Sequence, residues 1–261
     1  MKAKAVVRAP NLRRAYFESR FGQLHCRTAF PSTGGFDELT PLVALHDGPG
    51  SSVSLAPLLP RLGQDRSIYV PDLPGCGQSD APPGIISLAD HAAAISEMLR
   101  SLRLRSVDAL GVGVGAAVAV EMAHYLGTAV RRLVLINPPT ETVSYVPWGL
   151  PDASGSGLAS LWTARAPLNS DADALRAYLP VFGELIAGGQ TGQWPAVALS
   201  RWSWRDRTAG LTAPVLALSA NTAVARAFPS SWVVESIPAH LDLALGDASL
   251  TIKSVRQFLD R

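Results

Sequence analysis

Residues 107–138 read VDALGVGVGAAVAVEMAHYLGTAVRRLVLINP. A short apolar run at 107–112 leads through a glycine-rich turn into a helix-like segment of small residues that extends to about residue 126. A second apolar run follows at 131–136. This order predicts a strand, a sharp turn, a buried helix and a second, parallel strand, which together form one βαβ unit. The stretch therefore predicts an α/β fold.

The glycines at 111, 113 and 115 have the spacing of the G-x-S-x-G motif. This spacing resembles the nucleophile elbow of the α/β-hydrolases, a strained turn that leads from a strand into a helix. Gly113 stands where those enzymes have the serine. Because glycine adopts a positive φ at little cost, we expect Gly113 to keep the turn and to remove the nucleophile. A dinucleotide-binding turn is the alternative, but GVGVGA lacks the third glycine of G-x-G-x-x-G.

A second landmark follows the apolar run at 42–45. The segment HDGPGSS at 46–52 resembles the H-G-x-P-G loop of α/β-hydrolases, and above all the H-G-G-P-G loop of the proline-iminopeptidase branch. The resemblance implies that the backbone N–H of Gly48 contributes to an oxyanion hole. Asp47 replaces the usual glycine, and a carboxylate beside an anion-binding loop is unfavourable unless it points away. His46 either braces the loop or lines the substrate pocket.

The third landmark is DLPGCGQSD at 72–80, which resembles the D-x-P-G-x-G-x-S loop of the same family. Its proline and glycines fix a tight path, so its role is expected to be structural. Cys76 lies within it, but no base or cation stands near it in the sequence to activate the thiol. With Cys26 it makes only two cysteines, which imply no disulfide framework.

The last landmark is Pro238-Ala239-His240, which follows the apolar run at 232–237 and precedes a helix-like closing segment. It resembles the terminal G-x-G-H of the family and implies that His240 is the catalytic histidine. The acid that the family places after the preceding strand is absent, because Ala220-Asn221-Thr222 stands there. Carboxylates that could replace that acid are Glu141, Asp242 and Asp247.

The outer parts of the chain fit the same fold. Residues 15–30 predict a hairpin that turns at Gly22, and residues 87–102 predict an amphipathic helix that begins with a Ser87–Asp90 capping box. We therefore expect an α/β-hydrolase fold with a mostly parallel sheet flanked by helices. Its core would comprise 1–137 and 208–261.

Residues 138–207 contain five of the six tryptophans and several helix-like pieces. In the family that it resembles, the connection after the sixth strand carries a helical lid, and we assign this segment to one. Trp148, Trp162 and Trp202 are the side chains that we expect to line an apolar substrate pocket. The alternative is that the tryptophans only attach the lid to the core.

The composition limits the class of protein. The chain has 261 residues, of which 48% are hydrophobic and 17% charged, and its net charge is +2. These values favour a well-buried core and disfavour disorder and nucleic-acid binding. No stretch resembles a signal peptide or a membrane span, so we expect a cytoplasmic protein without membrane contact. We expect neither cofactor nor metal, and the oligomeric state stays open.

Three functions are compatible with these residues. In the first, the protein is an enzyme for a small, largely apolar organic substrate, with His240 as base and the N–H groups of Val114 and Gly48 as oxyanion hole. Without a serine nucleophile, elimination, isomerisation, decarboxylation, cyclisation or C–C cleavage would suit it. In the second, it is an inactive ligand-binding pseudo-hydrolase. In the third, it is a serine hydrolase whose nucleophile was changed to Gly113.

Overall fold

The computed structural model describes residues 9–32, 39–140, 145, 147–148, 153–165, 171–221, 227–238 and 248–261. Eight strands form one sheet in the order β1-β2-β4-β3-β5-β6-β7-β8. The strands are β1 (Asn11–Ser19), β2 (Gly22–Phe30), β3 (Leu39–Leu45), β4 (Arg66–Pro71), β5 (Val107–Val112), β6 (Val130–Ile136), β7 (Val215–Ser219) and β8 (Val233–Ser236).

The first two strands form the predicted hairpin, and β2 also pairs with β4 in the antiparallel direction. From β4 to β8 every neighbouring pair is parallel. The prediction of a mostly parallel sheet is therefore confirmed. Because the carboxyl ends of parallel strands meet at one edge, the loops after β3, β4 and β5 meet there as well.

Eight α-helices lie in the described part of the chain. They are α1 (Leu59–Leu62), α2 (Leu88–Ser101), α3 (Val114–Leu126), α4 (Ser156–Arg165), α5 (Ala172–Ala187), α6 (Trp194–Leu199), α7 (Trp204–Thr208) and α8 (Ser249–Leu259). The capping box of α2 is present as predicted: the Ser87 side chain accepts the N–H of Asp90, and the Asp90 side chain accepts the N–H of Ser87.

Both faces of the sheet are covered, as the continuous apolar runs of the central strands require. Val43 and Leu45 of β3 pack into the same core as the buried side of α2 and α3. Leu42 and Ala44 of the same strand point the other way, into the core that contains α1 and α8. The elbow unit therefore lies in the middle of the molecule, between two hydrophobic layers.

Helices α4 to α7 all lie between β6 and β7 in the chain; α4 to α6 lie within the predicted lid segment, and α7 ends one residue beyond it. The described residues include none of 141–144, 146, 149–152 and 166–170, so parts of that segment stay outside this description. Within the described residues, no helix combines the length and hydropathy that a membrane span requires.

Candidate active site at the elbow

The turn between β5 and α3 has the predicted geometry. Gly113 has φ 52° and ψ −115°, directly before the first residue of α3. L-residues rarely adopt such a conformation, and glycine adopts it without a steric penalty. The last glycine of the motif is required by packing, since a Cβ on Gly115 would lie 2.3 Å from the carbonyl oxygen of Leu45. The turn is therefore that of a nucleophile elbow with no side chain at its tip.

The space beside Gly113 is filled by a carboxylate. A Cβ built on Gly113 would lie 2.1 Å from Oδ1 of Asp47 and 2.3 Å from its Cγ. Asp47 comes from the loop that follows β3, and it reaches across to the tip of the elbow. The carboxylate therefore does not point away from the anion-binding loop, which is the arrangement that the sequence marked as unfavourable. Asp47 occupies the place where a serine side chain on the elbow would begin.

The two predicted oxyanion donors converge on this same carboxylate. The backbone N–H of Val114 and that of Gly48 each donate to Oδ1 of Asp47 at 2.8 Å. Two backbone donors aimed at one oxygen are the arrangement that stabilises an oxyanion. Here the anion is part of the chain itself. Of the described residues, none donates a hydrogen bond to Oδ2.

The environment of Asp47 changes its acidity. Desolvation by the surrounding protein raises the pKa of this carboxyl above its ordinary value of 3.8. The N–H groups of Val114 and Gly48 and the charge of Arg165 oppose the rise without cancelling it. Asp47 also retains solvent-exposed surface, so its desolvation comes from the density of protein around the carboxylate and not from full enclosure.

His46 is fully buried beneath this loop. Its Nε2 accepts the backbone N–H of Leu73 at 3.0 Å, so the proton of the neutral ring lies on Nδ1, which donates to the carbonyl oxygen of Asp47 at 2.7 Å. Both nitrogens are used within the protein and no ring surface is exposed. The ring therefore joins the loop after β3 to the loop after β4, which is a bracing role and not contact with substrate.

The predicted lid segment approaches the elbow through Pro195, and Gln193, two residues earlier, binds other parts of the same segment. A Cβ on Gly48 would lie 3.6 Å from Cβ of Pro195, at the start of α6. The buried side-chain oxygen of Gln193 accepts the hydroxyl of Tyr145 at 3.1 Å and the backbone N–H of Trp148 at 2.9 Å. The guanidinium of Arg165 lies over the Trp148 ring, 5.9 Å from its centre. These residues stand beside the loop that carries Asp47.

The other two predicted pocket tryptophans lie elsewhere. Trp162 packs edge-on against Phe182, with ring centres 4.8 Å apart, which joins α4 to α5. The indole N–H of Trp202 donates to Glu121 at 2.7 Å, about two turns along α3 from the elbow. Trp202 lines a separate cleft of about 470 Å³ together with Glu121 and Arg207. The structure thus places Trp148 against Gln193, Tyr145 and Arg165, and it uses Trp162 and Trp202 in other contacts.

His240 lies outside the described residues, as do the candidate acids Glu141, Asp242 and Asp247. Its part in the site stays a prediction. The described residues contain no group of three or more His, Cys, Asp or Glu side chains placed to hold a metal ion. Cys76, predicted to be inert, is fully buried, and burial raises the pKa of its thiol.

Sequence reasoning missed Asp47 as the central side chain of the site. The signal was the coincidence of two departures from one family pattern: glycine where the serine stands, and aspartate where a glycine stands. Arg165 was missed because nothing in its local sequence marks it. Only the tertiary structure shows that its charge acts on Asp47, more than a hundred residues earlier.

Comparisons with known proteins agree with this geometry. The family model described as the alpha/beta hydrolase fold matches residues 40–185. A proline iminopeptidase of Lactobacillus crispatus is 32% identical over 114 residues, which cover 41% of this chain and 39% of that protein. An uncharacterised protein of Mycobacterium tuberculosis is 34% identical over 77 residues, which cover 30% of this chain and 23% of that protein. The match thus spans less than two fifths of the length of these curated relatives.

Solved structures share the fold over nearly the whole chain. The enol-lactonase from Burkholderia xenovorans superposes with a TM-score of 0.78 at 19% identity, covering 95% of this chain and 100% of that one. A thermophilic esterase from Thermogutta terrifontis gives 0.70 at 16% identity, covering 95% and 98%. Because the family model covers more than half of the chain, and sheet, elbow and loops agree with it, this protein belongs to the α/β-hydrolase fold family.

Proposed function

We propose that this chain is an enzyme that acts on a small, largely apolar substrate by acid–base chemistry, without a serine nucleophile, and that Asp47 is its proton-transferring group. The observation that carries the proposal is the pair of 2.8 Å hydrogen bonds from Val114 and Gly48 to Oδ1 of Asp47. Membership of a family of hydrolases supports an enzymatic role in general.

The geometry suits proton transfer at Oδ2. Two backbone donors fix Oδ1, so the second oxygen is presented in one orientation at the tip of the elbow. A carboxyl whose pKa is raised lies nearer to ambient pH, where general acid–base catalysis is most efficient. His240 stays the proposed partner base. Elimination, isomerisation, decarboxylation, cyclisation and C–C cleavage are the reactions that one fixed carboxyl and one base would serve.

The hydrogen bonds to Asp47 change the role proposed for Val114 and Gly48. Val114 and Gly48 were expected to hold an oxyanion of the substrate, but their N–H groups bind Asp47. A tetrahedral intermediate would have to displace this carboxylate before it could use them. The proposal therefore assigns these two donors to Asp47 and not to the substrate.

The same observation favours a second candidate, a ligand-binding pseudo-hydrolase. A chain that fills its own oxyanion hole has lost the feature that stabilises acyl-transfer intermediates. The third candidate, a serine hydrolase altered only at Gly113, fits less well. Asp47 lies where the serine Cβ would be, so a working serine site would require changes at two positions.

The test compares four proteins on a panel of small esters, lactones, β-hydroxy ketones and β-keto acids: the wild type, Asp47→Asn, Gly113→Ser, and the double variant Asp47→Gly with Gly113→Ser. We expect the wild type to turn over a ketone or acid without forming a covalent adduct detectable by mass spectrometry. Asp47→Asn should reduce kcat by about 10²-fold or more, because the amide cannot transfer the proton. Gly113→Ser alone should give little esterase activity.

Three results would contradict the proposal. Turnover that survives Asp47→Asn would remove the carboxyl from the mechanism, and a wild type inert on the whole panel would favour the pseudo-hydrolase. Strong esterase activity in Gly113→Ser alone would instead indicate a serine hydrolase that had lost only its nucleophile.

A further inference from the structure

Arg165 is an exposed cation at the end of α4, beside the candidate site. Its guanidinium lies over the ring of Trp148, and its positive charge acts on both Asp47 and Tyr145. Among the described residues, no carboxylate oxygen lies within 4.0 Å of it. Other arginines of the described chain, such as Arg131 with Asp108 and Arg207 with Glu121, are held in close ion pairs.

The Trp148 ring beneath Arg165 and the neighbouring Tyr145 ring form what we call the aromatic platform. Gln193 is buried, and its side chain binds the hydroxyl of Tyr145, the backbone N–H of Trp148 and the carbonyl oxygen of Gly189. The rings of Tyr145 and Trp148 meet edge-on, with centres 6.4 Å apart. Because Gln193 is followed two residues later by Pro195, which adjoins Gly48, the platform is anchored next to the loop that carries Asp47.

The platform carries no competing negative charge. Burial raises the pKa of Tyr145 to about 12, so its hydroxyl stays neutral and donates to Gln193. Asp47 already accepts two backbone N–H groups through Oδ1. Among the described residues, the local arrangement therefore contains a cation, two aromatic faces and a carboxyl oxygen to which no described residue donates a hydrogen bond.

We propose that the substrate of this site carries an anionic group, a carboxylate, which binds the guanidinium of Arg165. Its apolar body would lie against Trp148 and Tyr145, and its reacting atoms would face Oδ2 of Asp47. The planar fork of an arginine matches a carboxylate with two parallel hydrogen bonds, so Arg165 sets both specificity and orientation. The location of the reacting atoms rests on the proposed function, whereas the binding of the anion does not.

The test measures binding, not turnover, with two probes of the same shape. Isothermal calorimetry compares 3-phenylpropionate with 3-phenylpropionamide on the wild type, Arg165→Gln and the control Arg176→Gln, which removes another exposed arginine of the same segment. We expect the wild type to bind the carboxylate about tenfold more tightly than the amide. Arg165→Gln should abolish that preference, and Arg176→Gln should retain it. Arg165 is exposed, so its replacement should not disturb folding.

A further variant locates the probe. With its carboxylate on Arg165, whose charge also acts on Asp47, the probe lies within the electrostatic range of Asp47. Asp47→Asn then removes a repulsion and should tighten the binding of the carboxylate severalfold, with the amide unaffected. The inference would be overturned by equal affinity for the two probes or by no detectable binding of the carboxylate. It would also be overturned by a preference that survives Arg165→Gln or by an unchanged affinity in Asp47→Asn. Loss of turnover in Asp47→Asn without any anion preference would overturn this inference alone and leave the proposed function standing.

Discussion

Gly113 and Asp47 form a complementary pair, although they are far apart in sequence. The glycine removes a Cβ that would lie 2.1 Å from the Asp47 oxygen, and the aspartate fills the two hydrogen bonds that an empty elbow would leave open. Val114 is buried, and a buried N–H without a partner costs about 1–3 kcal/mol, so the carboxylate stabilises the turn as well as occupying it. The glycine leaves room for the carboxylate, and the carboxylate accepts the two N–H groups at the turn.

The stability of Asp47→Asn tests the electrostatic part of this picture. The pKa of the folded carboxyl is raised above 3.8, so the folded state binds this proton more tightly than the unfolded chain. The contribution of this proton to the stability of the folded state is complete below pH 3.8 and is lost as the pH rises through the pKa of the folded protein. The asparagine oxygen can accept the same two N–H groups without carrying charge. We therefore expect Asp47→Asn to unfold at higher urea concentration than the wild type at neutral pH, with the difference vanishing in acid.

The control for this prediction is Asp173→Asn, whose side chain is 87% exposed and should change stability little at any pH. A loss of stability in Asp47→Asn at neutral pH, or a gain that is as large in acid, would contradict the assignment of a desolvated carboxyl to the elbow.

At the scale of elements, the loop after β4 is held by one buried carboxylate. Asp72 accepts the ring Nδ1–H of His25 at 2.8 Å, the N–H of Ser52 at 2.6 Å and that of Gln78 at 3.0 Å. It thereby joins β2, the start of the turn after β3, and the third landmark loop. Burial alone would raise the pKa of Asp72, but the hydrogen bond from His25 and those from the two N–H groups outweigh it and lower the pKa to about 2.

Asp72→Asn should therefore be strongly destabilising. Hydrogen bonds to a charged group contribute about 1.5–3 kcal/mol each, and the loop would lose the charge that its donors surround. Because the pKa of Asp72 is lowered in the folded state, its contribution to stability is present above pH 3.8 and is lost as the pH falls toward about 2. Urea unfolding at neutral pH and at acid pH would measure both effects. A cost similar to that of Asp173→Asn would show that the loop does not depend on Asp72.

At the scale of the whole molecule, three loops and the segment between β6 and β7 meet at the carboxyl edge of the sheet. His46 joins the loop after β3 to that after β4, Asp47 joins it to the elbow, and Pro195 packs against Gly48. The site is therefore a junction of four chain segments, and no single element determines it.

This arrangement explains how far the sequence could be interpreted. The elbow and the hairpin at Gly22 followed from backbone requirements, which short motifs carry at fixed spacing. The donors Val114 and Gly48 followed from the resemblance to the α/β-hydrolases. The direction of the Asp47 side chain could not be predicted in this way. It depends on the space left by the missing side chain of Gly113, which lies 66 residues further along the chain. Trp162 and Trp202 were assigned to the pocket from their segment alone, yet their contacts with Phe182 and Glu121 are set by tertiary packing.

The most direct test of the central claim, that the Asp47 carboxylate occupies the oxyanion hole, is a pH titration of the backbone amide signals of Val114 and Gly48 by two-dimensional ¹H–¹⁵N NMR. An amide that donates to a carboxylate shifts when that carboxylate takes up its proton. We predict that both amide protons follow one common titration with a midpoint above 3.8, and that both titrations disappear in Asp47→Asn. Amide signals that do not move with pH, or that titrate identically in Asp47→Asn, would contradict the account.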